Sequence, residues 1–264
     1  MPMQPSLFIS HGSPMLLVQD SQLRDFFGGL GVALTAAHGC PDAILIASAH
    51  WMTAAPAVGG AAALETVYDF YGFPPALYEL DYAPPGAPEL AALAASALSA
   101  AGIETERDNG RGLDHGAWVP LRYMYPDAHI PVAQVSIQPH LGPAHHLGLG
   151  AALAEFRAAN ILVIGSGNLT HNLREMGQAR GDDRPAGWAL EFADWVNAAL
   201  QEGRQAELIN YLRHAPNARR AHPTDEHFLP LFLSIGAGGP DAKPERIHTS
   251  YSGGAVCNDC YQFV

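Results

Sequence analysis

The sequence predicts an α/β protein, one domain over residues 1–264 with a mostly parallel central sheet flanked by helices. Three observations carry that expectation. A chain of 264 residues with 48% apolar and 15% charged side chains suits one large globular core. Short apolar runs bounded by Gly, Pro or polar turn residues alternate with longer stretches of helical spacing. Three of those runs also end alike: Ser6 to Ser10 leads into His11, Ala43 to Ala49 leads into His50, and Ile161 to Gly165 opens onto Ser166-Gly167-Asn168-Leu169-Thr170-His171.

The elements follow in order. Leu7 to Ser10 is a first strand, ended by the tight turn His11-Gly12-Ser13-Pro14. Ser21 to Gly39 has helical spacing through Leu23, Phe26, Phe27 and Leu30, with breaks expected at the glycines around Gly28 and Gly31. Ala43 to Ala49 is the second strand, and the small residues from Ala54 to Ala63 suit a loop or edge strand. Thr66 to Pro75 concentrates Tyr68, Phe70, Tyr71 and Phe73 before two prolines. It reads either as the wall or lid of an apolar pocket or as a loop packing its rings onto the core. Pro88 to Ala101 is an alanine-rich helix with proline in its first turn. Arg111 to Pro120 reads as a loop carrying His115 into a short helix through Tyr125. Pro131 to Ile137 is a strand, Pro143 to Asn160 a helix, and Ile161 to Gly165 the next strand.

Residues 177–186 are polar and glycine-rich and read as a loop. Trp188 to Leu200 and Ala206 to Leu212 read as helices, with Leu190, Phe192, Trp195 and Val196 turned inward. His222 to Pro230 opens a further helix with Thr224 as N-cap, and Pro230 calls for a kink or a late start. Arg246 to the C-terminus alternates enough for terminal strands.

Composition excludes several function classes. A formal charge of −12 argues against a nucleic-acid partner. No apolar run reaches the roughly 18 residues of a membrane span, and no signal-peptide pattern opens the chain. With three cysteines and no disulfide framework, the expected location is cytoplasmic. Cys257-Asn258-Asp259-Cys260 is half a zinc site at most and reads as an unligated structural pair. There is no His-Glu-x-x-His, no nucleophile-elbow Gly-x-Ser-x-Gly, and no phosphate-binding glycine motif at a strand–helix junction.

Histidine is the unusual residue, at 13 against 14 Lys plus Arg. In an open α/β sheet, ligands bind beyond the carboxyl ends of parallel strands. If the three histidine-bearing strands run parallel, His11, His50 and His171 reach one edge. His227 can reach it from a helix start, and His115 is a fifth candidate. Imidazole is the commonest transition-metal ligand, and spacing alone leaves Zn(II), Fe(II), Cu and Ni open. The other histidines that lack this context, among them His38, His129, His140, His145, His146, His214 and His248, read as solvated or structural.

Those residues, with Ser48-Ala49-His50-Trp51, Tyr68-Asp69-Phe70-Tyr71-Gly72-Phe73-Pro74, Gly112-Leu113-Asp114-His115-Gly116-Ala117-Trp118 and His222-Pro223-Thr224-Asp225-Glu226-His227-Phe228-Leu229-Pro230, resemble the 4,5-DOPA extradiol dioxygenase family. It belongs to the class III extradiol ring-cleavage dioxygenases, related to the catalytic subunit of protocatechuate 4,5-dioxygenase. The resemblance spans nearly the whole chain. It implies one divalent, non-haem metal ion held by His11, His50 and His227, with Glu226 beside His227 as an alternative third ligand. A neutral third ligand favours a catecholate dianion. It implies His171 as catalytic base and His115 as a second pocket histidine. The implied reaction opens a catechol-type, DOPA-like aromatic with O2 to a muconic semialdehyde, using Fe(II), with Zn(II) as a metal that the site can also bind. The implied partners are a small aromatic diol and O2, with no nucleic acid and no membrane. A zinc hydrolase on the same histidines and a non-catalytic metal-binding protein are the competing expectations.

Overall fold

The computed structural model describes residues 3–176 and 184–264. Its elements are β1 (Ser6–Ser10), α1 (Gln22–His38), β2 (Ala43–Ser48), β3 (Ala57–Gly59), α2 (Pro88–Ala100), β4 (Glu106–Asp108), α3 (His115–Met124), β5 (Val132–Val135), α4 (Gly142–Ala152), β6 (Ile161–Gly167), α5 (Gly187–Gln201), three short helices α6 (Gln205–Ile209), α7 (Tyr211–His214) and α8 (Ala218–Ala221), α9 (Leu229–Gly238), β7 (Pro244–His248), β8 (Tyr251–Ser252), β9 (Val256–Cys257) and β10 (Cys260–Phe263).

One eight-stranded sheet, in the order β4-β3-β5-β2-β6-β1-β10-β7, organises the chain. Its centre is parallel: β5 with β2, β2 with β6, and β6 with β1. Antiparallel pairs flank that centre, β3 on β5 at one side and β10 on β1 and β7 at the other. The small stretch around Ala57 is therefore a strand one place in from the edge, not the edge itself.

The central strands are buried along their whole length. That is why they read as continuous apolar runs rather than alternating ones. Alternate residues still divide between two faces. Leu7, Ile9, Ile44, Ile46, Leu162 and Ile164 pack with α1 and α3. Leu45, Ala47 and Val163 pack against α2, α4 and α9. Phe8 joins the cluster built on α5 and the residues around Tyr211, Phe228 and Phe232. Each fully buried Leu or Ile contributes about 1.5–3 kcal/mol, so both faces fix the register of the strands that carry the histidines.

Several expectations change. Helix α1 runs without a break through its glycines. A Cβ at Gly31 would stand 1.9 Å from the Met124 carbonyl oxygen, so that glycine serves the packing of α1 on α3. His115 is the first residue of α3 rather than part of a loop. The helix expected from Pro143 ends at Ala152, and Asn160, at φ 60°, turns the chain into β6. Ala206 to Leu212 divides at Asn210 into α6 and α7. Leu190 is exposed; it lies two residues from Trp188 and Phe192, on the opposite side of α5. The segment at His222 stays non-helical until Leu229, with Phe228 rather than Thr224 at the cap, because Pro230 fits only the first turn. Of the polar stretch 177–186, residues 177–183 lie outside the described residues.

Candidate metal centre and active site

The carboxyl end of β6 ties the site together. The Gly167 carbonyl accepts from the His11 N–H at 2.9 Å, the Ser166 carbonyl accepts from the Ala49 N–H at 2.9 Å, and the Asn168 N–H donates to the His227 carbonyl at 3.0 Å. Three segments distant in sequence are thus held by one strand end. The contact needs glycine, since a Cβ at Gly167 would stand 2.0 Å from the His227 carbonyl oxygen.

The side chains converge accordingly. Nε2 of His50 lies 3.2 Å from Nε2 of His11 and 3.3 Å from Nε2 of His227. The candidate ligand atoms of these three residues all fall within 4.8 Å of one another. His11 and His227 are buried and His50 nearly so.

The opposite ring nitrogens decide the tautomers. Glu226 Oε1 lies 2.9 Å from His227 Nδ1, and Asp69 Oδ2 lies 3.4 Å from His50 Nδ1. A carboxylate only accepts, so the Glu226 hydrogen bond puts the His227 proton on Nδ1, the longer Asp69 ion-pair contact favours the same tautomer for His50, and each Nε2 is left a lone pair. His11 reaches the same state by a longer route. In a regular helix the Gly116 carbonyl would accept from the N–H of residue 120, but residue 120 is proline. That carbonyl accepts instead from the Ser166 hydroxyl. With its hydrogen so directed, Ser166 Oγ accepts from His11 Nδ1–H at 3.0 Å. A Cβ at Gly116 would press on Ser48 Oγ, at 2.5 Å.

Three lone pairs therefore face one point. Protonation is a poor remedy: burial first, then the neighbouring imidazoles, holds His11 and His227 well below the ordinary histidine range and His50 at about 3. A divalent cation is the charge such a donor set fits, with outer oxygen partners on all three rings. Glu226 is placed as the partner of His227 Nδ1, and it also belongs to a second metal-capable set with His171 and His227.

His171 stacks on His227 with ring centroids 3.4 Å apart and 15° between planes. Burial pushes it down to about 4. His115 lies beside His50, centroids 4.0 Å apart, and its N–H and Nδ1 both approach Asp69 Oδ1 at 2.9 Å. Burial alone would raise Asp69, but the hydrogen bonds and charge of His115 hold it down at about 2. The aromatic segment packs onto the core: Phe70 is buried in the core cluster and its ring lies 5.8 Å from that of His115, while Tyr71 is 89% exposed.

All five predicted site histidines thus lie at one rim. Sequence reasoning missed their supports. Buried Asp114 accepts from Ser48 Oγ at 2.6 Å and from Arg111 at 2.8 Å, holding the turn that carries His50. Asp69 was legible as the one charged residue in 66–76, and Ser166 as a polar residue closing an apolar strand.

A family profile described as the catalytic LigB subunit of aromatic ring-opening dioxygenase matches residues 5–260. The chain belongs to the LigB family. Among curated LigB-type relatives, the 4,5-DOPA dioxygenase extradiol of Beta vulgaris is 43% identical, covering 98% of this chain and 96% of the relative. The protein of the same name from Escherichia coli K12 is 39% identical, covering 88% of this chain and 84% of the relative. A crystal structure of an uncharacterized Escherichia coli K12 protein superposes with a TM-score of 0.83 at 34% identity, covering 99% of this chain and 100% of that one. These matches place the chain among extradiol ring-opening dioxygenases, a metal-dependent LigB class. No helix among the described residues is long and apolar enough to cross a membrane.

Proposed function

We propose that residues 1–264 form one catalytic domain, cytoplasmic in location, that opens the ring of a catechol-type, DOPA-like diol with O2 to a muconic semialdehyde. His11, His50 and His227 hold one divalent ion, Fe(II) in the working enzyme, which when bound supplies charge for the diol oxygens and the redox capacity that O2 chemistry needs. The observation that carries this reading is the convergence of three Nε2 atoms whose Nδ1 atoms each face an oxygen, by hydrogen bond for His11 and His227 and by ion-pair contact for His50. The relatives named for DOPA support the substrate class.

The protein's own groups divide the remaining work. His171, neutral and partly open to the rim, accepts a diol proton as the substrate seats. His115, its Nδ1–H committed to Asp69, presents Nε2 as a second acceptor and returns a proton as the ring opens. Phe70 walls the His115 side and limits water there. Zn(II) binds such nitrogens but performs no redox step, so a zinc-loaded protein is inert in ring cleavage.

Fe(II)-loaded protein mixed with DOPA without oxygen is expected to give no yellow ring-opened product until air enters. Substrate turnover that needs no oxygen, to a product other than the ring-opened one, would instead favour the hydrolase. His171→Ala is expected to keep its metal and lose about 10²–10⁴-fold in turnover; loss of metal would make His171 a ligand.

A further inference from the structure

We propose that Asp69 is a shared positioning residue, one carboxylate that sets the tautomer of both His50 and His115 and so couples a metal ligand to the proton-handling side of the pocket. The proposal rests on the reading of His50 as a ligand. Asp69 Oδ1 accepts twice from His115, from its backbone N–H and from Nδ1, each at 2.9 Å. Oδ2 turns to His50 Nδ1 at 3.4 Å. The carboxylate is therefore anchored on His115 and reaches His50 with its free oxygen.

The local chain makes this placement rigid. Thr66 pairs with Leu113 in a parallel bridge, closed by Val67 N–H to the Leu113 carbonyl at 2.7 Å and Leu113 N–H to the Glu65 carbonyl at 2.8 Å. That bridge sets the 66–73 segment against the start of α3, where the His115 N–H is one of the helix's orphan donors. Asp69 satisfies it. Tyr68 OH donates to the Leu80 carbonyl at 2.9 Å and Phe70 packs on Phe73 and Tyr78, so the residues on both sides of Asp69 are held as well.

Both Nδ1 atoms are kept as donors, so both Nε2 atoms are acceptors. For His50 that directs the lone pair to His11 and His227. For His115 it leaves an acceptor beside the same rim, with ring centroids only 4.0 Å apart. A change in Asp69 then acts on ligand and proton acceptor together.

Asp69→Asn separates this role from packing. The amide keeps the shape. Its one oxygen stays with the two His115 donors, so its NH2 faces His50 Nδ1, and relief moves the His50 proton to Nε2, where it blocks the lone pair. Zn(II) affinity, measured by competition with a chromophoric chelator, is expected to fall about 10–100-fold, while the metal-free protein melts as the parent does. His50→Ala is run alongside. If His50→Ala binds Zn(II) like the parent, the ligand reading itself fails and this proposal with it. If His50→Ala loses Zn(II) and Asp69→Asn binds as tightly as the parent, Asp69 is a packing residue only and the proposal alone is overturned. Should Asp69→Asn not fold, ring ¹⁵N spectra of the Zn(II)-loaded parent decide. Protonated Nδ1 on both His50 and His115 supports the proposal, and a proton on Nε2 of His115 or metal on Nδ1 of His50 overturns it.

Discussion

Two clusters of metal-capable side chains occupy the carboxyl side of the sheet, and they behave in opposite ways. Cys257 and Cys260 lie three residues apart, in the spacing that zinc sites use. His11, His50 and His227 are far apart in sequence. Yet the cysteines are free, buried thiols. Cys260 Sγ accepts from the Ser10 N–H at 3.4 Å and donates to the Asn258 carbonyl at 3.6 Å. Burial pushes both thiols up, away from the thiolate that binds metal. The histidines have their outer nitrogens satisfied and their inner ones facing each other. Spacing along the chain does not make a site; a shared point with unsatisfied lone pairs does.

The sharpest way to break that contrast is His227→Ala. Losing one of three ligands is expected to take Zn(II) stoichiometry from about one per chain to near zero, read by metal analysis after desalting. Metal retained at full stoichiometry would mean that another residue, Glu226 or His171, completes the set. Cys260→Ala tests the other half. It is expected to cost about 1–2 kcal/mol in urea unfolding, as a small cavity under β1, with metal content unchanged. A loss of metal there would join the two clusters into one unit.

The smallest effect separates the site histidines from those that only support the fold. His146 is fully buried on α4; its Nε2 accepts from the Gln138 N–H at 3.1 Å and its Nδ1 donates to the Gly142 carbonyl at 2.7 Å. Burial holds it down at about 4. Its folded pKa is depressed, so its contribution is present above the unfolded value near about 6.5 and is lost as pH falls toward 4. Between pH 7 and pH 5, His146→Gln is expected to lose about 1–2 kcal/mol less stability than the parent, measured by urea unfolding at both values.

Much of the molecule was legible in the chain. The strands ending at Ser10 and Ser48 and the β6 strand were visible as uninterrupted apolar runs, because strands buried on both faces must be apolar throughout. The helices over Gln22–His38, Pro88–Ala100 and Gly187–Gln201 announced themselves by period and by proline or glycine at their ends. What misled was local chemistry overridden by contact. Gly31 suggested a broken helix and proved to be the place where α1 meets α3. Pro230 and Thr224 competed for the start of α9, and proline's missing N–H won. Leu190 fell on the wet side of α5 because inward positions there repeat every three to four residues.

The amino-acid sequence by itself determined that apolar strands end in histidines and that strands and helices alternate around a largely parallel sheet. Only the tertiary structure decided which nitrogen of each ring looks inward. That choice depends on Asp69, Glu226 and Ser166, and for Ser166 on a carbonyl that Pro120 leaves free. Asp69 and Ser166 act through contacts a few ångströms long between segments far apart in the chain, and no periodicity or local propensity encodes a distance of that kind.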